Sequence, residues 1–190
     1  MPFIDHFDLL APFYESFIPL HAPEKIIQIA ALPFDGALLD VGGGTGRVAK
    51  ALRHLSTQTI VADLSVGMLR QIEPGIGIEA VNSQSEYLPF ESNAFERVFM
   101  IDALHHVIDQ QRTVDELWRV LKPGGRLIIG EPDVRKFSVK LVALGEKLAL
   151  MRSHFIEPYA IGELFRDPCA HVQIHEDGFN AWVLINRLIN

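Results

Sequence analysis

LLDVGGGTGR, which spans residues 38–47, is the stretch of sequence that decides the fold. It begins with mainly apolar residues that suit a buried strand, and residues with helical spacing follow it. Between the two, Gly42, Gly44 and Gly46 form a GxGxG pattern. Glycine tolerates positive φ and has no Cβ, so a ligand can lie directly on the backbone there. A strand, a glycine-rich turn and a helix in this order predict a ligand-binding βα unit.

Short runs rich in β-branched residues alternate with segments of helical spacing along the rest of the chain, which indicates a mostly parallel sheet covered by helices. A turn is predicted at residues 122–125, and a hairpin with a tight turn at Asp177 and Gly178 is predicted within 171–186. The predicted fold is a Rossmann-like three-layer α/β sandwich whose mostly parallel sheet ends in an antiparallel hairpin. The other strands are expected at 37–41, 59–63, 78–82, 97–102 and 126–130, and the helices at 47–54, after Ser65, at 110–121 and near 137–152.

Composition narrows the class of protein. The 190 residues include 17 Lys and Arg against 24 Asp and Glu, a net charge of −7, which disfavours a nucleic-acid partner. No apolar run approaches the roughly 20 residues of a membrane span, and the first residues lack the basic character of a signal peptide. The single cysteine, Cys169, cannot form an internal disulfide. We therefore expect a cytoplasmic protein without a membrane span, and the sequence carries no signal of its oligomeric state.

Two acids accompany the glycine loop. Asp40 ends the first predicted strand and could hold an ammonium or hydroxyl group, while Asp63 ends the second and could accept hydrogen bonds from ribose hydroxyls. A dinucleotide-binding turn needs a small residue at position 47 for close helix–strand packing, and Arg47 stands there. The pattern favours an adenosine-type ligand with an amino-acid tail, and a dinucleotide site and a purely structural turn are the alternatives.

Four further motifs follow the glycine loop in a fixed order: VADLSVGML (61–69), EYLPFESNAFE (86–96), ALHH (103–106) and ELWRVLKPGG (116–125). Together with the loop they resemble the class I S-adenosylmethionine (SAM)-dependent methyltransferases. Within that class the chain is most similar to the small-molecule branch that includes the ubiquinone and menaquinone biosynthesis methyltransferases. The resemblance covers residues 38 to 130, about half of the chain, and it implies SAM as cofactor and S-adenosylhomocysteine (SAH) as product.

The resemblance also implies roles for single residues. The glycine loop would line the methionine part of SAM with Asp40 near its amino group, and Asp63 would bind the ribose. Leu64 and Met68 would pack on adenine, with simple core packing as the alternative for Met68. At the adenine edge the family usually has an Asp-Ala pair, whereas this chain has Gln84 and Ser85. A Gln carbonyl can still accept the hydrogen bond, but without charge. The full set of expected cofactor residues is Asp40, Gly42, Gly43, Gly44, Gly46, Asp63, Leu64, Met68, Gln84, Ser85, Glu86, Asp102 and Tyr14.

A base is needed only when the methyl acceptor loses a proton. His105 and His106 after the fourth strand and Glu131 after the fifth are the candidates, with Asp102 and Asp133 beside them, because α/β sheets place ligands at the carboxyl ends of their strands. Packing or helix capping is the alternative role for one histidine, and a hydrogen-bonding role at the rim is the alternative for Glu131. No metal site is expected, since the four-residue spacing of two later histidines suits a metal only on a helix.

The chain is interpreted as one domain, residues 1–190, with a cofactor-binding core at 36–135 and a terminal hairpin at 171–190. Residues 1–22 are expected to form a helical lid that brings Tyr14 to the cofactor, and residues 136–170 to form helices on the acceptor side. The expected function is methyl transfer to a small molecule, possibly aromatic or quinol-like. A SAM- or SAH-binding protein without turnover and a nicotinamide-dependent oxidoreductase are the alternatives.

Overall fold

Seven strands form one sheet in the order β3-β2-β1-β4-β5-β7-β6. The computed structural model describes residue 11, residues 23–140 and residues 153–189. The strands are β1 Ala37–Val41, β2 Gln58–Asp63, β3 Glu79–Asn82, β4 Phe95–Ile101, β5 Leu121–Pro132, β6 Ala170–Asp177 and β7 Asn180–Arg187. The helices are α1 Pro23–Ala30, α2 Arg47–Leu52, α3 Val66–Leu69, α4 Gln110–Val120 and α5 Pro158–Glu163, with 3₁₀ turns at Arg53–Leu55 and Leu104–His106. Tyr14 and nearly all of the predicted lid lie outside the described residues.

The first five strands are parallel, whereas β7 runs antiparallel to both β5 and β6. This arrangement confirms the predicted fold class. β1 lies between β2 and β4, so the chain leaves β1 towards one edge of the sheet and returns on the other side of it. Crevices at the carboxyl ends of the strands at such a reversal are where open α/β sheets bind ligands.

Neighbouring residues of the central strands pack into opposite layers, as the two-residue repeat of a strand requires. Leu38 and Ile128 pack with α1 and α2 on one face of the sheet. Leu39 and Ile129 pack with α4 and α5 on the other face. All four side chains are fully buried. The sheet therefore has an apolar layer on each face, which holds its strand ends in fixed positions.

The predicted turn at residues 122–125 is a bulge within β5 rather than a separate turn. Leu121 pairs with Phe95 and Arg126 pairs with Arg97, so four residues bulge out opposite a single residue of β4. Gly124 has a φ of +80°, and a Cβ on Gly125 would lie 2.7 Å from the carbonyl oxygen of Lys122. The glycines allow this tight bulge, and strand pairing resumes after it.

The terminal hairpin is present, with its turn one residue later than predicted. Asp177 still pairs with Asn180, so Gly178 and Phe179 form a two-residue loop. Gly178 has a φ of +58°, which is the glycine position of a common hairpin turn. Residues 137–140 are helical, and the remainder of the predicted 137–152 helix lies outside the described residues. In the described part of the chain, no helix is long and apolar enough to cross a membrane.

Candidate active site

The glycine loop follows β1 and turns directly into α2. Gly42, Gly44 and Gly46 have φ values of +68°, +55° and +74°. A Cβ on Gly42 would lie 2.6 Å from the Cβ of Ala103, so this position has room only for glycine. A Cβ on Gly44 would approach no atom closer than 3.9 Å, and the atoms that it would face belong to Asp63 and Met68. The backbone at Gly44 is therefore open towards the end of β2.

Asp63, at the end of β2, is fixed beside the loop by backbone hydrogen bonds. The Gly44 N–H donates to its Oδ2 and the Ser65 N–H donates to its Oδ1, both at 2.8 Å. The Asn82 side-chain amide donates to the carbonyl oxygens of Asp63 and Leu64. This role of Asn82 was not foreseen from the sequence, although its place at the end of the neighbouring strand was predicted. The acid, the loop and the end of β3 thus form one connected unit.

The residues that follow Asp63 form a short apolar shelf. Ser65 caps α3, because its hydroxyl accepts a hydrogen bond from the Met68 N–H at 3.1 Å, which confirms the predicted cap. Met68 is buried beneath the shelf, whereas Leu64 is 61% exposed at its edge. An exposed leucine beside a fixed acid offers an apolar surface next to a hydrogen-bond acceptor.

Asp40 lies beneath the glycine loop and not on its outer face. Its side chain is 1% exposed, and a Cβ on Gly43 would lie 2.7 Å from its Oδ2. That oxygen has no hydrogen-bond partner within the described part of the chain. Burial raises the pKa of Asp40 to about 7, although the positive charge of Arg47 partly opposes this. Asp40 therefore lies on the inner side of the loop, under Gly43.

Arg47, the first residue of α2, reaches across to the end of β4. Its Nη2 donates to Asp102 Oδ2 at 2.6 Å, and the two side chains are 11% and 25% exposed. Asp102 has a φ of +55°, and its N–H donates to the Gly130 carbonyl at 2.8 Å. From the sequence, Arg47 was expected only to disfavour a dinucleotide site, and its contact with Asp102 was not predicted. The two residues follow β1 and β4, the adjacent strands at the reversal of the sheet, and this placement could have indicated the contact.

The segment after β3 divides into an exposed and an internal part. Gln84 is exposed, and the hydroxyl of Ser85 lies 3.2 Å from that of Thr113 on α4. The Oε1 of Glu86 accepts hydrogen bonds from the N–H groups of Ile108 at 3.0 Å and of Asp109 at 3.3 Å. Glu86, which was expected among the cofactor residues, joins this segment to the start of α4 through these bonds.

Glu116 and Arg119, one helical turn apart on α4, hold the LPF segment (residues 88–90) in place. Glu116 accepts a hydrogen bond from the Leu88 N–H at 2.9 Å, and Arg119 donates to both of its carboxylate oxygens at 2.8 Å. Arg119 also donates to the carbonyl oxygens of Leu88 and Phe90. Hydrogen bonding by Arg119 lowers the pKa of Glu116. These bonds give a physical reason for the EYLPF and ELWRVL motifs to occur together.

Glu131, at the carboxyl end of β5, organises the segment after β4. It is 4% exposed, and its Oε1 accepts the N–H groups of Ala103 at 3.0 Å and Leu104 at 2.8 Å. Its Oε2 contacts Nδ1 of the buried His105. The His105 ring stacks on Phe155, with 4.2 Å between ring centroids. Glu131 and His105 are therefore buried, and Glu131 fixes the backbone at Ala103 and Leu104 and the ring of His105.

His106 is the more exposed of the two histidines. Its ring centroid lies 4.0 Å from that of His105, and its Nδ1 lies 3.4 Å from the hydroxyl of Ser153. Burial, with a smaller effect of the neighbouring His105, lowers the pKa of His106 to about 3. The imidazole is therefore neutral at neutral pH, and it can take part in hydrogen bonds but is a weak base.

Asp133 is not positioned as a base. It is fully buried, and Arg135 donates to both of its carboxylate oxygens at 2.8 Å. These bonds to Arg135 lower its pKa. Asp133 has a structural role where the chain leaves β5.

Residues 153–155, in the segment that is predicted to lie on the acceptor side, contact His105 and His106. The His154 N–H donates to the His105 carbonyl at 2.7 Å, and the Gln110 side chain donates to the His154 carbonyl at 2.7 Å. Tyr159, on α5, is exposed, and the Arg135 guanidinium lies 5.6 Å from its ring centroid. The described part of the 136–170 segment thus borders the end of β4.

Sequence comparisons identify the central part of the chain. Residues 39–129 match the family described as "Methyltransferase domain". A demethylmenaquinone methyltransferase of Clavibacter sepedonicus is 37% identical over 98 residues, which are 50% of this chain and 40% of that relative. A ubiquinone/menaquinone biosynthesis C-methyltransferase of Hahella chejuensis is 36% identical over 105 residues, 50% of this chain and 42% of that relative. The alignments thus span less than half the length of these curated relatives.

Solved structures share the whole fold. The methyltransferase that forms a complex with the Trm112 activator of Haloferax volcanii has a TM-score of 0.79 at 17% identity, covering 97% of this chain and 99% of that one. A SAM-dependent methyltransferase of Thermotoga maritima has a TM-score of 0.78 at 22% identity, covering 95% and 98%. Residues 39–129 therefore belong to the methyltransferase domain family, within a chain that has the Rossmann-like fold of the class I SAM-dependent methyltransferases.

Proposed function

We propose that this chain is a SAM-dependent methyltransferase that acts on a small, aromatic or quinol-like acceptor. The observation that carries the proposal is the bond from the Gly44 N–H to the Asp63 carboxylate at the reversal of the sheet. It holds an open glycine backbone and an acid side by side, the two features that an adenosine ligand with a polar tail needs. The family match at residues 39–129 supports the same chemistry.

The residues around the loop fit this cofactor. The backbone of the glycine loop would hold the methionine part and Asp63 the ribose, because Gly44 has open space on the side that faces Asp63 and Met68. The exposed Leu64 would cover the adenine. Gln84, whose side chain is also exposed, would accept a hydrogen bond from the adenine amino group. A bound SAM supplies a methyl group on a sulfonium whose departure leaves a neutral thioether.

The chain's own residues have the task of aligning the acceptor. We assign the contact with the acceptor to His106, which is neutral and lies beside Ser153. A general base works best with a pKa near the working pH, and His106 is far from that value. Its role is therefore a hydrogen bond to the acceptor rather than removal of a proton. His105 and Glu131 are positioning residues behind it.

Three observations support this kind of acceptor. The curated relatives are named for demethylmenaquinone and for ubiquinone and menaquinone biosynthesis, which favours a quinol-like ring. The net charge of −7 disfavours a nucleic acid. The exposed Tyr159 and the stacked Phe155 provide aromatic surface on the proposed acceptor side.

A SAM- or SAH-binding protein without turnover is the second candidate. It is favoured by the weak basicity of His106 and by the uncharged Gln84 at the adenine edge. Calorimetry with SAH and NAD, followed by conversion of SAM to SAH with a panel of phenols, quinols and amines, tests both candidates. Binding of SAH with conversion supports the enzyme. Binding of SAH without conversion of any acceptor supports the second candidate, and binding of NAD alone contradicts both.

The role of His106 has its own test. His106→Asn should lower kcat by about tenfold or more while SAH affinity stays unchanged, because the acceptor loses a hydrogen-bond partner and the cofactor does not. His54→Asn, at an exposed histidine after α2, is the control for general effects of removing an imidazole. An unchanged kcat in His106→Asn would contradict the assignment.

A further inference from the structure

Gln110, the first residue of α4, joins two separate segments of the chain. Its side-chain amide donates to the Leu104 carbonyl at 3.2 Å and to the His154 carbonyl at 2.7 Å. Because both partners are acceptors, the amide nitrogen and not the amide oxygen must face them. Leu104 begins the 3₁₀ turn that carries His106. His154 lies within residues 153–155, which we call the acceptor wall, so one side chain links the wall to the turn.

The turn and the start of α4 are both held in place by carboxylates. Glu131 fixes the turn, since it accepts the Leu104 N–H at 2.8 Å. Asp109 caps α4 by accepting the Arg112 N–H at 2.9 Å. Gln110 therefore belongs to a capped helix end beside an anchored turn, and the acceptor wall is the segment that its amide holds against them.

The acceptor wall meets the turn through three further contacts. The His154 N–H donates to the His105 carbonyl at 2.7 Å, and the Phe155 ring stacks on the His105 ring with 4.2 Å between ring centroids. The Ser153 hydroxyl lies 3.4 Å from Nδ1 of His106. A shift of the wall would therefore change its distance from His106, the residue to which we assign the contact with the acceptor.

We propose that Gln110 is a positioning residue for methyl transfer, because its amide holds the acceptor wall at a fixed distance from His106 and this distance sets the alignment of the acceptor. The inference rests on the proposed function and deepens it. A misplacement of about 1 Å that originates away from the reacting atoms can lower a rate by about a hundredfold. The role is indirect, since Gln110 uses both of its N–H groups on backbone carbonyls.

Gln110→Met tests this role, because it keeps the length of the side chain and removes both donors. The assay is conversion of SAM to SAH with the phenol or quinol that the wild type converts fastest. We expect kcat/KM for this acceptor to fall by about tenfold or more, since two neutral hydrogen bonds of about fivefold each are lost. The affinity for SAH should stay within about twofold, because Gln110 contacts the acceptor side and not the glycine loop.

Gln111→Met is the matched control on the next residue of α4. The Gln111 amide also makes two hydrogen bonds, to Asp115 Oδ1 at 2.9 Å and to the Leu164 carbonyl at 3.1 Å. Its substitution removes as many bonds as Gln110→Met and leaves the turn and the acceptor wall joined. We expect kcat/KM in Gln111→Met to stay within about twofold of the wild type.

A double-mutant cycle with His106→Asn separates alignment of the acceptor from a general loss of structure. If the wall acts through the acceptor's contact with His106, Gln110→Met should lower kcat/KM by less than about threefold in the His106→Asn background. Gln110→Lys, whose ammonium can donate to both carbonyls, should recover part of the activity that Gln110→Met loses.

Each outcome supports or overturns the inference. Equal losses of kcat/KM in Gln110→Met and Gln111→Met, or the same loss from Gln110→Met in both His106 backgrounds, would overturn it and leave the proposed function intact. If Gln110→Met does not fold, Gln110→Glu decides against Gln111→Glu by the same comparison, because an ionised carboxylate has no donor. A wild-type protein that binds SAH and converts no acceptor overturns the proposed function and this inference together.

Discussion

The carboxylate of Glu131, at the end of β5, contacts Nδ1 of His105 after β4, and both side chains are buried. The same carboxylate accepts the N–H groups of Ala103 and Leu104. One acid therefore sets the path of the chain between Asp102 and His106, the residue to which we assign the contact with the acceptor. Glu131 itself, at the end of β5, makes no contact with a ligand in the proposed site.

Substitution of Glu131 should distinguish its two functions. Glu131→Ala leaves two buried N–H groups and His105 without their acceptor, and we expect a loss of about 3–5 kcal/mol in the free energy of unfolding. Glu131→Gln keeps an oxygen for the N–H groups and loses only the charged contact, so a loss of about 1–2 kcal/mol is expected. Urea unfolding measures both values. Equal losses in the two variants would contradict the division of roles between the two oxygens.

Alanine at two positions of the glycine loop should separate folding from binding. Gly44→Ala incurs the strain of a left-handed alanine, about 1–2 kcal/mol, and its Cβ would project into the open space beside Asp63. We expect SAH affinity to fall by tenfold or more with this modest loss of stability, since a methyl group would occupy the place of the ligand. Calorimetry and thermal unfolding measure the two effects.

Gly42→Ala is the comparison variant. It carries the same backbone strain, and its Cβ would also meet the Cβ of Ala103 at 2.6 Å. Such overpacking typically adds about 1–3 kcal/mol. Gly42→Ala should therefore be clearly less stable than Gly44→Ala. A Gly44→Ala variant that binds SAH like the wild type would show that the ligand does not lie on this part of the backbone.

Local features of the fold were predictable from the sequence, because short-range pattern encodes them. β1 has the predicted bounds, Ser65 caps α3, and Gly178 lies in the turn of the hairpin. Each of these depends on residues within a few positions of one another. The 122–125 segment shows the limit, since KPGG has the composition of a turn and becomes a bulge only because Phe95 and Arg97 pair on both sides of it.

The contacts of the site depend on which strands are neighbours. Arg47 meets Asp102 only because β1 and β4 are adjacent, and Glu131 meets His105 only because β4 and β5 are adjacent. The sequence placed these residues at strand ends but could not show which acid faces the crevice. Asp40 was expected to face the ligand, and it is buried because the glycine loop folds over it. That closure is a property of the folded loop and not of the residue pattern.

Gln84 offers a test of the adenine edge. Its side chain is exposed after β3, and an Asp there would accept the hydrogen bond of the adenine amino group with a full negative charge. We expect Gln84→Asp to tighten SAH binding by roughly threefold to tenfold, because charge-assisted hydrogen bonds are the stronger ones. Gln173→Asp, on β6 at the opposite edge of the sheet, adds the same charge away from the site as a control. If SAH affinity is unchanged in Gln84→Asp, the assignment of Gln84 to adenine is wrong.

Asp40 should make stability depend on pH in a direction that is unusual for a carboxylate. Burial raises its pKa from 3.8 to about 7, so between these values the folded protein holds a proton that the unfolded chain has released. Stability falls with rising pH wherever the folded state binds more protons, so this contribution is complete below pH 4 and is lost by about pH 7. His106 acts in the opposite direction, because its lowered pKa of about 3 removes stability as the pH falls below 6.5.

Asp40→Asn isolates the first of these effects, since His106 is the same in both proteins and its contribution cancels in their difference. The amide cannot ionise, so the variant avoids the burial of a charge beneath Gly43 at high pH. We expect the stability of Asp40→Asn relative to the wild type to increase by about 2 kcal/mol between pH 5 and pH 8, and to change little above pH 8. Urea unfolding at several pH values measures this difference. Parallel curves for the two proteins would show that the carboxyl of Asp40 titrates as it does in the unfolded chain.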